Sequence, residues 1–345
     1  MSNMNVGIVG LGKMGLLHTG ILNSLEDVKI TAITEKENLI ANYIRGSLKE
    51  IKVYEDYDMM LEHEKLDLVY ITTPISSHLP IALSCIKNKV NFFIEKPLTK
   101  NLEESKVLCA ELRKHNLIHA VGYNRRFIDT FSKVKSFLDS KILGEIITVK
   151  SSMYVSNVFS KSSGWRSKKN VSGGGVLLDF GSHLVDLLLW YFGFITTVSG
   201  EVKSLYSKEV EDSAHMEIEF ENKISGELDT SWSVKGYRLP EINLEIHGTN
   251  GNLRVNEDII RIELKNSVKE LENTNMVIYK QSLNNGVLID IGGPEYTKED
   301  MHVVDCIKKN RQSLVSVFEA SKTQSVIQSM YDAAGNGKRQ VKYIG

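Results

Sequence analysis

The sequence predicts an α/β protein: an N-terminal doubly wound parallel sheet, then an α+β domain with an open, mainly antiparallel sheet. Three observations carry this. The apolar run Val6–Val9 enters Gly10-Leu11-Gly12-Lys13-Met14-Gly15, a G-x-G-x-x-G turn that leads into a helix-like stretch. Up to about Gly122, short β-rich runs alternate with helix-like segments, the pattern of parallel strands joined by crossover helices. Beyond it, runs such as Ala214-His215-Met216-Glu217-Ile218-Glu219-Phe220 alternate apolar with polar residues, as strands with one covered face do. The predicted domains are therefore 1–122 and 123–345.

In the first domain the predicted strands are 5–9, 28–34, 66–72, 91–94 and 118–122, with helices over 16–25, 37–45, 77–89 and 102–115. In the second, a helix over 128–140 precedes a strand over 145–153. A polar segment, 156–172, ends at Gly173-Gly174-Gly175, and a helix follows over 176–192. Strands are expected over 197–204, 213–220, 223–233, 241–247, 253–255, 259–263 and 276–281. Gly248-Thr249-Asn250-Gly251 should form a hairpin turn. Two helices, 298–309 and 318–334, close the chain.

The 345 residues carry a net charge of −1, with 42% hydrophobic and 25% charged residues. Such a balance offers no electrostatic footprint for nucleic acid and no membrane-surface patch. The apolar run 184–195 contains Asp186 and is too short to span a bilayer. Cys85, Cys109 and Cys306 are far apart, indicate neither a disulfide framework nor a zinc site, and are expected as small buried hydrophobes. With the first strand beginning so near the N-terminus, no signal peptide is expected, and a cytoplasmic location follows as an expectation.

The glycine loop reads as a dinucleotide site. Gly10 permits the turn, Gly12 lets the backbone approach a pyrophosphate, and Gly15 lets the helix pack close to the strand. Lys13 and Met14 open that helix, whose N–H groups and dipole favour phosphate. Glu35, at the end of the second strand, can bind both hydroxyls of an adenosine ribose and would repel a 2′-phosphate, which favours NAD. Lys36 beside it leaves NADP open. Thr72-Thr73-Pro74, with His78 after it, and Glu95-Lys96-Pro97 end the next two long strands, where ligands of open α/β sheets bind. Lys96 could bind a substrate hydroxyl and take part in proton transfer. Asp179, His183 and Asp186 stand at i, i+4 and i+7 among apolar residues, one polar stripe on a helix. Such a stripe is costly unless it is paired or functional, and histidine exchanges protons near neutral pH. A hydrogen-bonded structural network remains the other reading. The stripe lacks the further Cys or His of a closed metal shell, so no metal is expected.

Taken together, these residues resemble the Gfo/Idh/MocA oxidoreductases, named for glucose–fructose oxidoreductase and inositol dehydrogenase. The matching pieces are Gly10–Gly15, Thr73-Pro74 with His78, Glu95-Lys96-Pro97, Tyr123-Asn124-Arg125-Arg126-Phe127, Trp165-Arg166 and the block 173–186. The resemblance implies a Rossmann domain followed by a domain whose open sheet packs against another subunit, as a homodimer or homotetramer. It implies hydride transfer between a nicotinamide cofactor and a secondary alcohol or ketone of a sugar, cyclitol or sugar derivative. In that scheme Lys96 binds the reacting hydroxyl, Asp179 orients substrate and His183 is the acid/base. Glu95 and the Thr72–Pro74 turn would line the cofactor, and Tyr123, Asn124, Arg125, Trp165, Arg166 and Tyr296 would contact substrate. The alternatives are an NAD-dependent glycoside hydrolase working by oxidation and elimination, a nucleotide-sugar dehydrogenase, and a non-catalytic NAD-binding protein.

Overall fold

The computed structural model describes residues 3–344 apart from 38–40, 43–45, 47–49, 161–166, 272 and 284–285. The N-terminal strands are β1 Met4–Val9, β2 Val28–Thr34, β3 Lys52–Tyr54, β4 Leu68–Ile71, β5 Asn91–Ile94 and β6 His119–Val121. All pair in parallel, in the order β3-β2-β1-β4-β5-β6. The helices among them are α1 Lys13–Leu22, α2 Tyr57–His63, α3 His78–Lys87 and α4 Leu102–Leu112. Strand order reverses between β1 and β4, so their carboxyl ends form the crevice where this architecture binds ligands. Val6, Ile8, Leu68 and Tyr70 are fully buried, because a parallel sheet is covered on both faces.

Neither β3 nor α2 is evident in the sequence. Three residues, Lys-Val-Tyr, are too few to show a period. The start of α2 is set by Asp56, whose carboxylate accepts from the N–H groups of Asp58 and Met59. The helix predicted over 37–45 falls largely outside the described residues.

The second sheet contains β7 Ile146–Tyr154, β8 Ile195–Lys203, β9 Ser213–Phe220, β10 Ser225–Ser231, β11 Glu241–Gly248, β12 Gly251–Val255, β13 Ile259–Leu264, β14 Asn275–Tyr279 and β15 Arg339–Gln340. Its order is β14-β13-β12-β11-β7-β10-β9-β8-β15, antiparallel except for the β7–β10 pair. Alternation is faithful: Ala214, Met216, Ile218 and Phe220 are buried, while His215, Glu217 and Glu219 face solvent. The later helices are α5 Asp129–Asp139, α6 Ser182–Phe192, α7 Pro294–Lys308 and α8 Val317–Ala333. The helical run Lys169–Phe192 is long and apolar enough to cross a membrane, but 78% of its most apolar window is buried inside the protein. All three cysteines are buried and free.

The chain divides into two compact units. The first is Met1–Asn124 with Gly286–Ser321; the second is Arg125–Asn285 with Lys322–Gly345. A domain running unbroken over 123–345 is therefore not what the chain forms, because α7 returns to the parallel sheet. Its Val303 and Val304 join that sheet's core, Asp300 bonds His18, and Lys308 pairs with Asp27 at 2.6 Å.

Candidate active site

The glycine loop has the geometry its residues require. Gly10 sits at φ +90°, where a side chain is strained, and its N–H donates to the Thr34 carbonyl. A Cβ on Gly15 would overlap the Gly10 carbonyl oxygen, so only glycine lets α1 start here. Gly12 caps α1 without a side-chain bond, and a Cβ on it would meet open space. The first-turn N–H groups of Lys13 and Met14, both outside the core, are thus open to phosphate. Thr72 steadies the turn by donating to the Gly10 carbonyl at 2.6 Å. The Thr73 hydroxyl beside it is buried and has no partner among the described residues, and Pro74 is exposed. An uncapped helix start, open space at Gly12 and an orphaned hydroxyl fit a dinucleotide.

Glu35 is only 9% exposed. Its Oε2 accepts from Leu11 N at 2.6 Å and its Oε1 from Glu37 N at 2.8 Å. The carboxylate therefore ties β2 to the glycine loop, and its remaining lone pairs are what a ribose could use. Lys36 is exposed.

His78, expected at the cofactor, is 1% exposed and serves as a strap. Its Nε2 lies 3.0 Å from the Thr73 carbonyl and its Nδ1 3.1 Å from that of Pro97. Burial pushes its proton affinity down, so the neutral ring donates to one of them at a time. Glu95 also faces inward: Oε2 accepts from Lys96 N at 3.0 Å, and Oε1 lies 3.1 Å from Nε2 of buried His18. Lys96 itself is half-buried at the carboxyl end of β5.

In the second unit, the helix expected over 176–192 is not uniform. Leu177–Gly181 is π-helical and feeds α6. Single π turns cost regular hydrogen bonding and gather at functional sites. This one carries Asp179, half-buried, and leads to His183, 5% exposed. The polar stripe divides here. Asp186 is fully buried in a two-pronged pair with Arg126, whose Nε and Nη2 donate at 2.8 and 2.7 Å. The same guanidinium lies 5.5 Å from the Trp190 ring centre. Asp186 and Arg126 are thus anchors, while Asp179 lies on the π turn and His183 one helical turn beyond it.

The glycines before the π turn have a steric cause. A Cβ on Gly174 would overlap the Tyr331 hydroxyl, and one on Gly175 the Glu211 carbonyl. Glu211 Oε1 accepts from Gly175 N at 2.9 Å, Leu177 N at 3.0 Å and Tyr331 Oη at 2.7 Å. Burial pushes the Glu211 carboxyl up despite these bonds. Sequence reasoning misses Glu211 and Tyr331, which lie 36 and more than 150 residues beyond Gly175. It misses His18 as well, although a lone histidine three residues after Gly15 among apolar neighbours is a visible signal.

Of the expected substrate contacts, Tyr123 and Asn124 are buried in the first unit, with Tyr296 half-buried there at the start of α7. Arg125 belongs to the second unit, 3.9 Å from Glu257, whose carboxyl burial pushes up to about 7. Trp165 and Arg166 lie outside the described residues.

Residues 4–123 match the family model of the oxidoreductase family with an NAD-binding Rossmann fold, and 131–254 match the GFO/IDH/MocA C-terminal domain. An oxidoreductase of Formosa agariphila is 28% identical over 210 residues, which cover 57% of this chain and 63% of that protein. The scyllo-inositol 2-dehydrogenase (NAD(+)) of Bacillus subtilis is 29% identical over 255 residues, 71% of this chain and 72% of that one. A levoglucosan dehydrogenase solved with NADH and levoglucosan superposes with a TM-score of 0.88 over 99% of this chain and all of that one; at 20% identity it speaks for the fold alone. With a glycine loop shaped for a dinucleotide and both domain models matched over more than half of its length, the chain belongs to the Gfo/Idh/MocA family of NAD-dependent oxidoreductases.

Proposed function

We propose that the protein is an NAD-dependent dehydrogenase for a secondary alcohol of a sugar, cyclitol or sugar derivative. The observation that carries this is Lys96, presented half-buried at the carboxyl end of β5 on a turn braced by Glu95 and His78. Nicotinamide, when bound, supplies the hydride chemistry. Lys96 binds the reacting hydroxyl and stabilises the charge that develops on its oxygen. Asp179 orients the sugar through its hydroxyls, and His183 takes up or returns the hydroxyl proton. Gly12 and the α1 N-terminus receive the pyrophosphate, and Glu35 the adenosine ribose. Relatives named for inositol oxidation support a polyol as substrate. We further propose self-association as a homodimer or homotetramer through the exposed face of the nine-stranded sheet. Ion pairs such as Lys150–Glu227 and Arg254–Glu245 line that face.

Titration with NADH and NADPH, followed by nicotinamide fluorescence, is the primary test. NADH should bind at least about tenfold more tightly, since a 2′-phosphate would meet the Glu35 carboxylate. Inositols and anhydro-sugars should then reduce NAD in a substrate screen. Equal affinity for the two cofactors would remove Glu35 as the discriminating group.

A further inference from the structure

A histidine is enclosed in the first unit by carboxylates from distant parts of the chain. His18, on α1, is 0% exposed. Its Nδ1 lies 2.8 and 3.0 Å from the two oxygens of Asp300 on α7, and its Nε2 lies 3.1 Å from Glu95 Oε1. Tyr70, on β4, donates to Asp300 Oδ1 at 3.0 Å. The rings of Phe93 and Tyr70 flank the imidazole at 5.0 and 5.3 Å, and Tyr296 meets it edge-on at 6.2 Å. Glu299 adds a third buried carboxylate to the same centre.

Both ring nitrogens face carboxylate oxygens, and both can donate only in the imidazolium form. Burial by itself would discharge the ring, but the Asp300 and Glu95 carboxylates outweigh it and hold His18 well above the usual imidazole range. A nitrogen that holds a proton toward Asp300 cannot also ligate a cation, so the cluster is an ion-paired centre. Fully buried, His18 cannot touch a substrate. What it can do is orient Glu95, whose second oxygen accepts from the Lys96 N–H.

We propose that His18 is a positioning residue for the dehydrogenase reaction: by tying Glu95 to Asp300, it fixes the turn that presents Lys96. The inference rests on the reading of Lys96 as the group that binds the reacting hydroxyl. Without the imidazolium, the Asp300 and Glu95 carboxylates would lose the charge that both face, and Glu95 is the one at a strand end, able to turn toward water. Its turn would release the Lys96 N–H, and misplacing a catalytic group by about 1 Å can cost about a hundredfold in rate. The same linkage adds a polar tie of α7 to this unit beside its Val303 and Val304 in the core, with Asp300 the far anchor.

The test compares His18→Gln, Asp300→Asn and Lys96→Ala with the intact chain. NADH affinity is read by fluorescence and turnover with the fastest polyol of the screen. Lys96 reactivity is read by acetic anhydride labelling and peptide mass spectrometry, with the other lysines as internal controls. His18→Gln and Asp300→Asn should bind NADH within about threefold of wild type yet lose at least about thirtyfold in kcat. Their Lys96 labelling should change at least threefold relative to the other lysines, a change that a merely structural role would not confine to Lys96. Wild-type turnover and labelling in either folded variant would overturn the proposal. Loss of NADH binding in both would also overturn it, in favour of a cluster that holds the whole unit. Full activity of Lys96→Ala would instead sink the catalytic reading itself.

Discussion

Lys96 is backed by groups that titrate, His18 between Asp300 and Glu95, whereas the helix carrying Asp179 and His183 is backed by an Arg126–Asp186 pair and by glycines packed on Glu211 and Tyr331. In the first unit a proton must be in place for the support to exist. In the second the countercharge is a guanidinium that keeps its proton at any physiological pH, beside the hydrogen bonds that Glu211 accepts from Gly175, Leu177 and Tyr331. The protein thus ties one candidate catalytic segment through an imidazolium and the other through a guanidinium. The first unit even contains both extremes of histidine. His18 is held charged by carboxylates, and His119 is held neutral, with its Nδ1 accepting from Val317 N at 3.0 Å.

The comparison breaks most sharply at Asp186. Asp186→Ala removes the carboxylate that pairs with a buried guanidinium and should cost about 3–5 kcal/mol in urea unfolding of the second unit. A loss below about 1 kcal/mol would mean that the pair is not an anchor.

The next largest effect is an acid transition in the first unit. Burial pushes His119 down from 6.5 to about 4. On acidification the unfolded chain takes up a proton near pH 6.5 that the folded chain refuses until about pH 4. Stability from this group is therefore complete above pH 6.5 and falls through that window, by on the order of 3 kcal/mol. Urea midpoints at pH 7.5 and pH 5 should differ less in His119→Gln than in the parent; equal slopes would refute the assignment.

The smallest effects contrast two glycines. Gly175→Ala forces a Cβ into the Glu211 carbonyl and should cost about 2 kcal/mol along with turnover. Gly12→Ala points into open space at an ordinary φ of −62° and should leave the melting temperature within about 2 °C while weakening NADH at least about tenfold. Unchanged NADH affinity in Gly12→Ala would displace the pyrophosphate from this loop.

Much of the architecture is legible in the chain because its signals are local. The run into Gly10–Gly15, the apolar β-rich strands and the alternation in β9 each span a few residues, and backbone sterics and side-chain period act over that range. Lys96, Asp179 and His183 also stand out, as polar groups at a strand end or inside an apolar helix. The π turn is invisible, and so is Glu211, which accepts from Gly175 N and Leu177 N at its start from 36 residues beyond Gly175. So are the internal partners of His78 and Glu95, which come from other segments of the chain.

From sequence alone come the two-sheet α/β plan, the dinucleotide loop and the residue types available for proton transfer. Tertiary structure decided which polar groups are spent internally: Asp186 on Arg126 across 60 residues, and His18 on Asp300 across 282. It also decided that α7 belongs with the parallel sheet. The physical reason is one and the same. A buried charge must find its countercharge wherever the fold brings one, and an amphipathic helix does not encode which sheet it will cover.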